Sequence, residues 1–529
     1  MTGKPEHRKK CAMNDDRDFL SYGHDRLFLI LAFAITMMWL SFVRIQGMPN
    51  GETANDAYYH MAMAELGPSA FTAKKFPALE LSVWRDTFSD KELLYHFMLC
   101  GLVKIQKIFE PVIRAPFHFP TLVFLTLLVA ALLFAMKRLG VSPPLYLPMA
   151  MMALMSSPNV IFRMLMLRPH IFSLTLMLIL CGLLAHGSLR WKLGWTLGIS
   201  LLYAWSYSNP HFIVVPVMFF AVSDLHANGW KSLLLIAAAL LGVFLGLLVH
   251  PQFPNSFIIW KVQSFDALFG PLMSDGVRRI RTLMPPMEMM SPGVGWNLRA
   301  LPMYIFAYLN FLIFARLIAR LGWKNIPPYF YAVGALSLLF TAGTFMVLRT
   351  IEYAGPFTGL FGAMVWSKAL REKIFLPGTD RPRKFCLILT LAVFLPVGWS
   401  AAMNISYSGS LTPPAEKIGA WMDRNLPEGT LVVNLSWGDF PSIFHACRKQ
   451  VFLWGMDPEF SIAADPKRTQ RIERLLLNRS ELTPRRFARI TGAEYAVILA
   501  KREKFVELLK ELGWHTIYEA SDGAVFKVQ

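Results

Sequence analysis

A chain of 529 residues with 54% apolar side chains, 17% charged ones and a mean hydropathy of +0.41 falls outside the ordinary soluble class. Apolar runs long enough to cross a bilayer recur along it, so it reads as an integral membrane protein. The net charge of +18 would suit a nucleic acid, but the basic residues are scattered through short loops, where they set orientation and meet anionic membrane lipids; nucleic-acid binding is not expected.

In chain order, residues 1–26 carry Lys4, Arg8, Lys9 and Lys10 and then an acidic patch. No small-residue cleavage site follows the apolar run from Leu27 to Val43, which predicts a retained first span and a cytoplasmic tail at 1–26. Runs of suitable length predict about eleven transmembrane helices, near 27–45, 117–137, 144–161, 170–188, 194–208, 211–224, 232–250, 301–319, 327–347, 351–369 and 385–404. Leu93 to Phe109 is apolar but interrupted by Lys104 and Lys107, and reads as a helix lying in the interface. With the N-terminus inside, the basic turns fall inside, above all Lys368 to Lys384. The transmembrane domain then covers 27–411, with a first outer loop at 46–92 and a long outer loop at 251–300.

Residues 412–529 are expected to form an extracytoplasmic α/β domain. Helical patterns at 415–425, 467–478 and 501–512 alternate there with β-type runs at 430–435, 450–453, 495–500, 515–519 and 524–528. No GxGxxG follows any strand, which argues against a nucleotide site. Five cysteines, Cys11, Cys100, Cys181, Cys386 and Cys447, imply neither a disulfide framework nor a cysteine metal site. No long internal repeat is evident, which counts against an inverted-repeat transporter.

Polar chemistry clusters at the span boundaries. TANDAYYHMAMAE, from Thr53 to Glu65, puts Asp56 beside Tyr58, Tyr59 and His60; the plainer reading is that Asp56 caps a helix starting near Ala57. Arg168, Pro169 and His170 head the fourth span, where an arginine either faces a polar cavity or snorkels to head groups. YAWSYSNPHF breaks an apolar stretch, and its Asn209-Pro210 turn puts Asn209 and His211 on the same side as Asp56, with Trp205 read as a packing aromatic. Arg349 and Glu352 would pair across one helical turn. Arg278, Arg279 and Arg281 lie in the long outer loop, and Asp86 and Asp90 precede the interfacial helix as second metal or acceptor carboxylates or, more plainly, as caps. In the C-terminal region, NLSWGDFPSIF from Asn434 and QVFLWGMDPEF from Gln450 read as strand, Trp-containing turn, strand and Asp-bearing loop, which brings forward Trp437 and Asp439.

Asp56 with His60, RPH at Arg168, WSYSNPH from Trp205 and the Trp437 element, in that order, resemble the GT-C membrane glycosyltransferases, in a bacterial branch distantly similar to the oligosaccharyltransferase catalytic subunits. The third element departs in spacing, and the fourth lacks one Trp of WWDYG, so acceptor-sequon recognition is not carried over. The resemblance implies an inner-membrane enzyme that moves a sugar from a polyprenyl-phosphate donor to an acceptor. Asp56 would be the catalytic base or the ligand of a divalent metal, Mg or Mn. Arg168 and Arg349 would neutralise the leaving phosphate, with Tyr58, Tyr59, His60, His170, Asn209, His211, Trp437 and Asp439 completing the substrate site. A flippase for a lipid-linked saccharide and a noncatalytic assembly protein with the same fold are the alternatives. The near-absence of carboxylates inside the spans favours the enzyme.

Overall fold

The structure is a computed structural model that describes residues 25–48, 52, 55–109, 117–266, 291–374, 382–406, 415–500 and 503–528. The N-terminal basic cluster and the arginines at 278, 279 and 281 lie outside the described residues.

Each apolar run becomes a helix. Asp25–Gly47 (α1), with Asn55–Leu66 (α2) and Leu93–Ile108 (α3) after it, leads into His118–Arg138 (α4). The bundle continues through Tyr146–Met155 (α5), Pro158–Met164 (α6), Pro169–Leu184 (α7), Leu189–Ala204 (α8), Val214–Ser223 (α9) and Leu234–Leu248 (α10). Val294–Leu321 (α11), Pro328–Gly343 (α12), Ile351–Arg371 (α13) and Pro382–Ser406 (α14) complete it. Among the described residues, five helices are long and apolar enough to cross a membrane, and three shorter apolar helices accompany them. This is a polytopic helical membrane protein. The run expected as one span at 144–161 is instead two helical pieces meeting at 88°. The cause is local: Pro158 occupies the first turn of α6 and the Ser157 hydroxyl accepts the Val160 N–H at 3.2 Å, so a new helix is capped where the old one stops.

Glycines let the buried helix α13 approach α5: a Cβ on Gly355 would stand 2.8 Å from the Ala153 carbonyl oxygen, and one on Gly359 would run into Ala153 itself. The α3 helix buries Leu93, Tyr95, His96, Leu99, Cys100 and Val103 and leaves Phe97, Ile105 and Ile108 exposed.

The C-terminal region follows the alternation in the sequence. After Glu416–Asn425 (α15) come strands Leu431–Asn434 (β1), Val451–Phe452 (β2), Tyr495–Leu499 (β3), His515–Ala520 (β4) and Gly523–Lys527 (β5), in the order β2-β1-β3-β5-β4. β1 runs parallel to β2 and β3, while β5 is antiparallel to β3 and β4. Between β1 and β2, where the sequence suggested only a turn, lies the helix Phe440–Ala446 (α16), started by Pro441 in its first turn.

The loop after the first span covers the β2 edge. Phe452 N–H donates to Ala78 O at 2.8 Å, Glu80 N–H to Phe452 O at 2.8 Å and Leu81 N–H to Leu453 O at 2.7 Å, so an edge that would otherwise expose unpaired backbone is satisfied. The same loop carries α2, which packs on α16: the Asn55 amide donates to Gly438 O and accepts from the Ser442 hydroxyl, and Glu65 pairs with Arg448. The first loop therefore fixes the C-terminal sheet over the start of α2.

Candidate active site

Asp56 lies in the first turn of α2, where a carboxylate is favoured by the helix dipole. Its Oδ2 is 2.6 Å from Arg168 Nη2, with the side chains 34% and 10% exposed. Arg168 has extended backbone and precedes Pro169, the first residue of α7. Its loop is anchored from beneath: Glu52 Oε2 accepts Leu167 N–H at 3.0 Å and pairs with Arg44 Nη1 at 2.9 Å, and Arg44 Nη1 also donates to Leu165 O at 2.7 Å. Both members of that pair are fully buried, so each needs the other. Sequence reasoning passed over them, because a charge at a span end carries no motif.

Of the residues expected beside Asp56, three turn inward. Ala57 to Ala64 is one unbroken buried stretch, because α2 is enclosed by α3 on one side and α16 on the other. Tyr58 packs against Phe117 and His445, and burial followed by the Glu52 charge pushes its phenol up to about 12. Tyr59 sits among Phe76, Trp84 and Phe444 as part of the core. His60 bonds to His96 and is 3% exposed. All three are enclosed by packing, and Asp56 is the member of the motif that keeps open surface.

A second charged centre gathers around Glu352, which is fully buried. It takes Arg163 Nη2 at 2.6 Å and Arg349 Nε at 3.3 Å, so the expected one-turn pair forms and is joined by an arginine 189 residues away. His170 lies behind this pair, its Nε2 3.0 Å from the Arg163 carbonyl and 3.8 Å from Glu352. The Arg349 guanidinium is 5.6 Å from the centroid of the Tyr207 ring, a cation–π placement.

Asp457 and Lys91 enter the site without having been singled out. Burial raises the Asp457 carboxyl, Lys91 and Arg349 oppose that shift and Asp56 adds to it, so these four charges act on one region. Asp457 also caps the helix Pro458–Ala464, accepting Glu459 N–H at 3.2 Å, which gives it a structural duty as well. The Trp437–Asp439 turn is bound to the head of α2 through Asn55, but Asp439 is wholly buried and faces inward. Asn209 Oδ1 accepts from Ser264 at 3.1 Å and His211 Nδ1 from Trp260 at 3.4 Å, tying that turn to the segment at 255–266.

No group of three or more His, Cys, Asp or Glu side chains among the described residues could hold an ion, and the Asp56 carboxylate is engaged by a guanidinium. What the arrangement can do is hold an anion: Arg168 pairs with the Asp56 carboxylate, which a phosphate could displace, and Arg349 and Lys91 act on Asp457, as Asp56 does.

The chain folds as a polytopic helical bundle whose first loop presents a carboxylate beneath the C-terminal sheet. Solved structures share it. The archaeal oligosaccharyltransferase AglB from Archaeoglobus fulgidus, in complex with an inhibitory peptide and a dolichol-phosphate, matches at TM-score 0.60 and 11% identity over 96% of this chain and 75% of its own. ArnT from Cupriavidus metallidurans bound to undecaprenyl phosphate matches at TM-score 0.53 and 12% identity over 94% of this chain and 98% of its own. No family model and no curated protein matches the sequence. The chain thus shares the fold of these solved structures.

Proposed function

We propose that the protein is a glycosyltransferase that takes a sugar from a polyprenyl-phosphate-linked donor at the outer face of a bacterial inner membrane. The observation that carries the reading is the 2.6 Å pair of Asp56 and Arg168 at the head of α2, in a fold whose solved examples include one bound to dolichol-phosphate and one bound to undecaprenyl phosphate. In this reading residues 27–411 cross the membrane about eleven times, the N-terminus is cytoplasmic and residues 412–529 are extracytoplasmic.

The donor phosphate takes Arg168 from Asp56, and Arg349 and Lys91 add their charge. The acceptor attacks the anomeric carbon, the bond from that carbon to the phosphate oxygen breaks, and the phosphate leaves with the electron pair against the guanidinium. Asp56, freed of its partner, takes the proton the acceptor loses. One ion pair thereby keeps the empty site neutral and couples donor binding to release of the base.

The test is binding of undecaprenyl phosphate to the full chain in nanodiscs. Wild type should bind, and Arg168→Ala should weaken binding at least tenfold, the value of one charge-assisted contact. Equal binding by the two would remove Arg168 from the phosphate site.

A further inference from the structure

One turn along α2 from Asp56 lies a hydrogen-bonded line. His60 Nδ1 is 2.8 Å from His96 Nε2, and His96 Nδ1 is 2.6 Å from Asp90 Oδ2. The three side chains are 3%, 0% and 1% exposed. Asp90 is held in place: its backbone N–H donates to Gln252 Oε1 at 2.7 Å, and its Oδ1 accepts Glu92 N–H at 3.1 Å, leaving Oδ2 for His96. Phe71 stacks on the His96 ring, and Tyr59 and Tyr95 close around the pair.

The chemistry of the donors orders the protons. An ionised carboxylate only accepts, so His96 must carry its proton on Nδ1. With His96 neutral, its Nε2 is a bare lone pair, and the short contact requires His60 to donate through Nδ1–H. His60 Nε2 is then left as an acceptor. Residues 56 and 60 lie one helical turn apart, with Cβ atoms about 6 Å apart.

We propose that Asp90, His96 and His60 form a proton-accepting line that serves the Asp56 carboxylate. This rests on the transfer reading above. The proton that Asp56 has taken from the acceptor passes to His60 Nε2, His60 Nδ1–H breaks as His96 Nε2–H forms, and the resulting His96 imidazolium stands against the Asp90 carboxylate. Asp56 regains its charge and can pair with Arg168 again. His60 carries the proton; His96 and Asp90 are positioning residues that set its tautomer. Besides His96, the groups facing or acting on His60 are Tyr59 beside it, Tyr95 on α3, Lys91 in the first loop, and Arg168 and His170 at the head of α7. Burial, followed by the charges of His96, Arg168 and Lys91, keeps its imidazole well below the usual range, so it waits neutral.

The experiment is nitrogen-15 NMR of the full chain with labelled histidine in nanodiscs, the two signals being identified by His60→Gln and His96→Gln. At pH 7, His60 should be protonated on Nδ1 and bare on Nε2, and Asp90→Leu, which removes the acceptor while keeping the branched shape, should shift it to a mixture of tautomers. His60 carrying its proton on Nε2 in wild type overturns the line, whether or not the variants fold. A His60 tautomer unchanged in folded Asp90→Leu also overturns it. Undecaprenyl phosphate binding in the same nanodiscs separates the two ideas: a wild type with the assigned tautomer that fails to bind the lipid sinks the transfer reading, while normal binding with the opposite tautomer sinks only the line.

Discussion

Replacing Asp56 by Asn should tighten the binding of undecaprenyl phosphate. In the free protein, Arg168 is occupied by the Asp56 carboxylate at 2.6 Å, and a phosphate must first displace it. A buried hydrogen bond to a charged group is worth about 1.5–3 kcal/mol. Asp56 is 34% exposed, which brings the pair toward the range of solvent-screened ion pairs, so about 1 kcal/mol is the appropriate figure. That corresponds to roughly fivefold tighter binding, since about 1.4 kcal/mol is tenfold. The amide has the shape of the carboxylate and leaves no cavity, so the thermal midpoint should move little. Titration of nanodisc-embedded protein with the lipid phosphate, at low and then at raised salt, gives the comparison, and the gain should shrink as salt screens the pair. Affinity that is unchanged or weaker in Asp56→Asn would refute the idea that the carboxylate holds the phosphate's place.

Glu352→Ala removes the counter-charge of Arg163, whose side chain is 6% exposed, and should cost about 3–5 kcal/mol, read as a large fall in thermal midpoint in detergent. The contact between α2 and α16 should be sensitive to acid: burial pushes the Glu65 carboxyl up, but the His445 imidazole 3.7 Å away and the Arg448 guanidinium bonded to it outweigh burial and hold it at about 2. Because the folded value is depressed, this contribution is fully present above the ordinary carboxylate value of about 4.3 and is lost as pH falls toward 2; limited proteolysis from pH 7 to pH 3 should show the C-terminal domain loosening, and Glu65→Gln should loosen it already at pH 7. Reporter fusions at Asp380 and Gln529 should report opposite sides of the membrane, and a common side would overturn the expected orientation.

Much of this architecture could be read from the sequence, because its causes are local. Apolar runs make helices wherever they occur, and the β-type runs at 430–435 and 495–500 become β1 and β3 because branched residues alternate with turn signals there. Asp56 and Arg168 stood out as charges in apolar surroundings, where a charge must find a partner. What stayed hidden depends on distant partners. Nothing near Arg163 announces Glu352, nothing near Glu52 announces Arg44, and the edge contacts of residues 78–81 with β2 need the whole fold to bring them together. Tyr59 and His60, three and four residues from Asp56, are buried for the same reason: Phe444 of α16, from nearly 400 positions later in the chain, packs on Tyr59, and His96 of α3 holds His60.

The central claim is that Asp56 is the base of a sugar transfer, and turnover tests it most directly. Wild type and Asp56→Asn, each in nanodiscs, are given a panel of radiolabelled undecaprenyl-phosphate sugars together with a membrane extract as the source of acceptor, and transfer is followed as loss of label from the lipid. The account predicts protein-dependent transfer from at least one donor, reduced in Asp56→Asn by about 10²–10⁴, the contribution of a general base. Transfer at the wild-type rate by Asp56→Asn, or label that changes leaflet in both proteins without leaving the lipid, would contradict it.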